Sequence, residues 1–215
     1  MMKKVGIITV LALIALFIGM QLQSKNEMSP NEDVWSDTTQ GTNTKNNNDE
    51  NDKVAKVIMK TTMGDITLAL SNDAPNTTEN FLKLAESDFY DGIKFHRVID
   101  QFMIQAGDPN SKDDSLMARW GQGGPGYKFD DELPQTGEYQ IGSLAMANSG
   151  PNTNGSQFFI VTGQNGVNLP PLYSLFGQVV DGMDVALAIQ GVETGARDIP
   201  VKPVIINDIE IITSN

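Results

Sequence analysis

The chain has 215 residues, 40% of them apolar and 20% charged, with 20 Gly and 10 Pro, which suits one globular domain of about 150 residues plus an appendage and excludes collagen, a coiled coil and full-length disorder. Cys is absent and His96 is the single His, so disulfides, thiolate zinc sites, Cys nucleophiles and multi-histidine metal centres are excluded. The net charge is −12, and beyond residue 53 there remain 10 Lys/Arg against 20 Asp/Glu, a balance that repels a phosphate backbone, so no nucleic-acid partner is expected.

Lys3 and Lys4 precede an uncharged apolar run from Val5 to Met20, the basic region and hydrophobic core that an export machinery reads. As a helix the run spans about 24 Å, short of a ~30 Å hydrocarbon core, although Gln21, Leu22 and snorkelling lysines extend it. Large residues at its end leave no small-x-small cleavage site. Residues 1–22 therefore read as a signal-anchor helix, attached to the membrane through residues 5–22, with the lysines inside and the rest of the chain outside. A cleaved signal peptide, releasing a secreted or periplasmic domain, is the alternative. Residues 23–53 are rich in Asn, Asp, Glu, Ser and Thr and cannot bury enough apolar surface to offset chain entropy. They read as a disordered polar spacer with a root-mean-square reach of about 30 Å.

Residues 54–215 form the domain. Runs with strand chemistry occur at Val57 to Thr61, Ile66 to Leu70, Phe95 to Ile99, Met103 to Ala106, Ser143 to Ala147, Gln157 to Thr162, Leu175 to Val180 and Val204 to Ile212. Eight such runs point to an antiparallel barrel or sandwich. Thr62-Met63-Gly64-Asp65 reads as a tight hairpin turn with Gly supplying positive φ. Asn76-Thr77-Thr78-Glu79 has the form of a capping box, with Phe81, Leu82, Ala85 and Phe89 following at helical spacing. A second short helix is expected at Asp184 to Gln190.

Period two then sorts the strand faces. Arg97 shares a face with Phe95 and Ile99, Met103 with Gln105, and Gln157 with Phe159, while Phe158 and Ile160 lie opposite. A face mixing a guanidinium, two carboxamides, Met and Phe makes a poor core, because a buried Arg without a carboxylate costs several kcal/mol. It is either a ligand-binding face or a wet outer surface, and spacing alone leaves both open.

The string Phe95-His96-Arg97-Val98-Ile99, then Gln101-Phe102-Met103-Ile104-Gln105-Ala106-Gly107-Asp108-Pro109, resembles the cyclophilin-type peptidyl-prolyl cis/trans isomerases. Gly123-Gly124-Pro125-Gly126-Tyr127, Ser143-Leu144-Ala145-Met146-Ala147-Asn148 and Gly150-Pro151-Asn152-Thr153-Asn154-Gly155-Ser156-Gln157-Phe158-Phe159-Ile160 match further motifs of that family in order, and the resemblance runs from Val54 to Asn215. It implies a mainly β fold, an eight-stranded antiparallel closed barrel capped by two helices. It also implies acceleration of X-Pro bond rotation in proline-containing polypeptides, with no cofactor and no metal, in a monomer. By the same resemblance Arg97 is the catalytic arginine. Phe102, Met103, Gln105, Gln157 and Phe159 match the substrate groove, Ala147 and Asn148 the loop whose backbone holds the peptide, and Leu169 and Tyr173 the apolar wall.

The sequence departs from the family where Asn168 and Tyr173 stand at positions that many members fill with Trp and His, which implies weak cyclosporin binding. Ser111 to Trp120 is longer than in minimal members and would reshape one rim of the site. Gly121-Gln122-Gly123-Gly124-Pro125-Gly126 satisfies G-x-G-x-x-G, but no strand leads in and no helix follows, which excludes a dinucleotide role. His96 points away from the Arg97 face and reads as a structural hydrogen-bonding residue. Asp113-Asp114 and Asp130-Asp131-Glu132 read as solvated loops. Two functions follow: an isomerase that assists the folding of exported polypeptides, or a non-catalytic module that binds proline-containing segments as chaperone or scaffold. The intact Arg97 favours the first.

Overall fold

The structure is a computed structural model that describes residues 55–212. The anchor and spacer expectations for residues 1–22 and 23–53 lie outside the described residues. Ten strands and two α-helices follow in chain order: β1 (Lys56–Thr61), β2 (Gly64–Leu70), α1 (Pro75–Glu86), β3 (Arg97–Ile99), β4 (Met103–Ala106), β5 (Glu138–Tyr139), β6 (Ser143–Met146), β7 (Phe158–Val161), β8 (Val167–Asn168), β9 (Leu175–Asp181), α2 (Met183–Gln190) and β10 (Ile206–Ile212). Eight of the strands form one sheet in the order β10-β1-β2-β9-β6-β7-β4-β3, and β5 pairs with β8 apart from it. All eight runs read from the sequence fall in the large sheet.

Local chemistry explains the sharpest turn. Thr61 Oγ1 donates to the Gly64 carbonyl at 2.6 Å and accepts from Met63 N–H at 3.0 Å. Gly64 takes φ +130°, a conformation open to glycine without penalty. β1 and β2 are thereby held in register from Lys56↔Ala69 to Thr61↔Gly64.

The expected closed barrel is not formed, since β3 and β10 are the two ends of the sheet. The chain before β3 instead approaches the first residue of β10 and the chain just before it. Gly92 N–H donates to the Ile206 carbonyl (2.8 Å), Ile206 N–H to Ile93 (2.8 Å) and Phe95 N–H to Val204 (3.0 Å). These bonds come from Gly92 to Phe95, upstream of the three-residue β3, so no ladder joins the two edge strands themselves. The early end of that pairing also corrects the face assignment of Phe95: alternation begins only at Arg97, and Phe95 is buried in the main core while Arg97 is exposed.

Inside the curled sheet lie Val57, Met59, Ile66, Leu68, Ile104, Leu144, Phe158, Ile160, Phe176 and Ile206. Helix α1 adds Phe81, Leu84 and Ala85 and packs on β9 and β10, while α2 adds Ala186 and Ile189 and packs on β2, β3 and β4. Phe81 meets Phe158 edge-on at 5.6 Å and Phe176 at 5.4 Å, an arrangement that adds to simple area burial.

Candidate active site

Register on the other face of the sheet builds the site. Arg97 on β3 stands opposite Gln105 on β4, Gln105 opposite Phe159 on β7, and Phe159 opposite Ala145 on β6. One row of four strands thus carries guanidinium, carboxamide, ring and methyl, each within cross-strand reach of the next. The neighbouring row is Ile99, Met103 and Val161. Met103, Tyr139, Ala145, Phe159 and Val161 are buried together as a second, small apolar cluster, with Phe102, Ala147, Leu169, Tyr173 and Leu175 packed on it.

The wall of this patch is aromatic. Tyr173 meets Phe159 edge-on at 5.5 Å and 87°. Tyr139, buried on the two-residue β5, lies 6.4 Å from the Phe159 ring and 6.3 Å from the Tyr173 ring. Its hydroxyl donates to the Tyr173 carbonyl at 3.0 Å and accepts from Tyr173 N–H at 3.3 Å. Burial pushes that phenol up from its ordinary range, so it stays a neutral strut. Tyr139 is a residue of the candidate site that the sequence reading missed, since a two-residue strand is too short to show periodicity.

Beside the patch lies a polar groove of about 670 Å³, lined in part by Gln105, Gln157, Ala147 and Asn148. Gln105 Nε2 donates to Gln157 Oε1 at 3.0 Å, and Gln157 Nε2 donates to the Gly123 carbonyl at 2.8 Å. This relay fixes both carboxamides and, among the described residues, leaves Gln105 Oε1 without a donor. The loop from Gly121 to Lys128, whose Gly123–Tyr127 stretch the sequence reading matched to a family motif without giving it a role, is the far wall of the groove. Gly123 is required there, because a Cβ would collide with Asp108 Oδ1. Ala147 N–H is committed to the Gln157 carbonyl (2.9 Å), and the Asn148 side chain to the Leu172 carbonyl (2.7 Å) and Gly150 N–H (3.2 Å). The Asn148 side chain is thereby fixed to its own loop and to Leu172, leaving its main chain facing the groove as the sequence resemblance implies for a peptide-holding loop. Asn168 is exposed on β8.

His96 sits behind Arg97 and is 4% exposed. Among the described residues neither ring nitrogen has a hydrogen-bond partner of good geometry, although the Lys94 main chain and the Gln157 side chain lie close enough to act on the ring, so the expected structural hydrogen bond is not well formed. Burial lowers its pKa to about 4, opposed by the nearby Asp108 carboxylate and helped by the Arg97 charge. At neutral pH it is an uncharged filler of the space behind the site. Asp108 itself is buried and accepts from Asn110 N–H (2.7 Å) and Gly121 N–H, tying the 3₁₀ turn at Pro109–Lys112 to the groove wall.

Residues 56–211 match the model of the cyclophilin type peptidyl-prolyl cis-trans isomerase/CLD family. The chain belongs to that family. A peptidyl-prolyl cis-trans isomerase of Arabidopsis thaliana, CYP18-1, is 40% identical over 157 residues, covering 72% of this chain and 94% of the relative. A Streptococcus pyogenes protein, whose name joins a phosphatase to a peptidyl-prolyl cis-trans isomerase, is 42% identical over 191 residues, and this chain spans 40% of its length. The crystal structure of a Cryptosporidium parvum cyclophilin type isomerase aligns with TM-score 0.65 at 34% identity, covering 76% of this chain and all of the other. The same protein was also crystallised in the presence of the dipeptide Ala-Pro, with TM-score 0.64. The curled eight-stranded sheet is thus that of a cyclophilin, a family whose activity is isomerisation of X-Pro bonds.

Proposed function

We propose that this cyclophilin accelerates X-Pro rotation by presenting the Arg97 guanidinium to a prolyl ring seated on Phe102, Met103, Phe159, Leu169 and Tyr173. The single observation that carries the reading is the register row, which puts a charged donor two strands from a buried aromatic floor. An X-Pro amide resists rotation by about 18–20 kcal/mol because its nitrogen lone pair is delocalised into the carbonyl. As the bond twists, the pair returns to nitrogen, which becomes a hydrogen-bond acceptor. A guanidinium is always charged and planar, and beside an apolar floor its hydrogen bond to that nitrogen strengthens in the twisted state more than in the ground state. Gln105 and the Asn148 main chain then hold the flanking peptide.

The decisive experiment is cis-to-trans conversion of a short X-Pro peptide. Arg97→Ala is expected to lower kcat/KM by roughly 10²-fold, about 3 kcal/mol of transition-state stabilisation, in a domain that still melts cooperatively. Full activity in the mutant refutes the mechanism, and an inactive wild type would leave the proline-binding module. We also propose that the domain works outside the cytoplasm on exported polypeptides, tethered through residues 5–22. The support is the Lys3-Lys4 and apolar pattern of the sequence; no helix among the described residues is long and apolar enough to cross a membrane.

A further inference from the structure

The loop that brings the chain from α2 to β10 places a carboxylate against Arg97. Asp198 Oδ2 lies 3.7 Å from Arg97 Nε, with both side chains about half exposed. Asp198 and its neighbour Arg197 are consecutive non-glycine residues in the left-handed region, at φ 60° and 61°. That conformation costs free energy at each position and persists only where surrounding contacts enforce it. Here they do. Gly195 N–H donates to the Ile199 carbonyl (2.8 Å) and Val201 N–H to Glu193 (2.9 Å), closing the base of the turn. At its tip the Arg197 guanidinium donates to the carbonyls of Ala118 (3.3 Å) and Met117, in the 3₁₀ segment Asp114–Arg119.

We propose that Asp198 is a positioning residue for Arg97, held in place by the Arg197 clamp on the 114–119 segment. A half-exposed ion pair contributes little to stability, so the consequence of holding Asp198 there is its effect on the guanidinium. Arg97 stands on a three-residue edge strand and, on its own, would sample many rotamers. An anion on the Nε side restricts the plane of the group and leaves both terminal nitrogens for the prolyl nitrogen. The longer rim between Ser111 and Trp120 thereby gains a purpose, as the anchor for a turn that orients the reacting charge.

This inference rests on Arg97 acting on the prolyl nitrogen, and the test separates the two. With the full-length chain in detergent, kcat and KM for an X-Pro peptide are measured for wild type, Arg97→Ala, Asp198→Asn and Arg197→Asn, and for Arg97→Lys with and without Asp198→Asn. Asn tolerates the left-handed region, so Asp198→Asn keeps the turn's backbone, whereas Arg197→Asn removes the clamp without adding steric strain at residue 197. Asp198→Asn is expected to lower kcat about fivefold with KM and melting temperature unchanged, a coupling typical of contacting groups. Arg197→Asn should move kcat the same way, and in the Arg97→Lys background Asp198→Asn should have no further effect. An unchanged or raised kcat in Asp198→Asn, or the same loss in the Arg97→Lys background, overturns the inference. Full activity of Arg97→Ala would instead overturn the role given to Arg97.

Discussion

Burial keeps His96 neutral one residue away from a permanently charged Arg97, and that pairing has a measurable consequence. The folded pKa lies near 4 against an ordinary 6.5, because burial penalises the imidazolium. Between those values the unfolded chain binds a proton that the folded chain refuses, so stability is full above about pH 6.5 and falls as pH drops toward 4. At pH 5 the loss amounts to about 2 kcal/mol, and no second His titrates in that window. Denaturant melts at pH 7 and pH 5 should show this difference in wild type and lose it in His96→Phe; an equal pH dependence in both proteins would show that the ring is protonated without strain. At this scale the sequence was legible where a residue lies inside a strand. Arg97, Met103, Gln105 and Phe159 fall on one face as period two requires. Phe95 and His96 lie before β3 begins, where alternation carries no information. Asp198 was unreadable because its role depends on a turn tip meeting a strand about one hundred residues earlier in the chain.

Helix α1 shows how an element can be read correctly and its stabilisation misread. The spacing of Phe81 and Ala85 locates the helix, but Asn76-Thr77-Thr78-Glu79 is its first turn rather than its cap, since the helix opens on Pro75. Glu79 pairs with Lys83 at 2.6 Å. The orphan N–H groups are satisfied from a distant loop: the Glu132 carboxylate accepts from Asn76 N–H (3.0 Å) and Thr77 N–H (2.7 Å), and from both side chains. Burial pushes the Glu132 carboxyl up, and the bonds from Thr77 and Asn76 outweigh it, holding the group below its usual range. Its contribution is therefore present above the ordinary carboxylate pKa and lost as pH falls through the lower folded value. Glu132→Ala should cost about 1–2 kcal/mol at pH 7, the size of a lost helix cap, with the deficit shrinking in acid. A mutant melting with wild type at neutral pH would mean that water replaces the carboxylate without loss. The acidic loop was read from composition as solvated, because a cap donated from over fifty residues away leaves no local pattern. The same limit hid β5 and β8, whose two residues each are shorter than any period.

For the whole molecule, eight strand runs and two helices were legible because strand alternation and helical spacing are local. How the sheet meets itself was not, since the bonds from Gly92 to Phe95 join it to Val204 and to the first residue of β10 without a ladder. Placement in the cell rests on a different kind of signal, a charge asymmetry about an apolar run. Lys3 and Lys4 lie on the N-terminal side of Val5 to Met20, whereas the residues just beyond include one Lys, Lys25, among acids, a bias of the kind that keeps an N-terminus inside, and it is the basis of the proposed export of the rest of the chain. Membrane attachment by residues 5–22 would raise the local concentration of the Arg97 site near emerging chains without any new contact. The net charge of −12 would meanwhile disfavour adhesion to an anionic bilayer surface, leaving the apolar run as the means of attachment. Fractionation and protease treatment of intact cells, after any outer envelope has been opened, should find the full-length chain in the membrane fraction and its domain accessible. A soluble product beginning near Ser24 would show that the run is a cleaved signal peptide, and a protected membrane protein would show that the orientation is reversed.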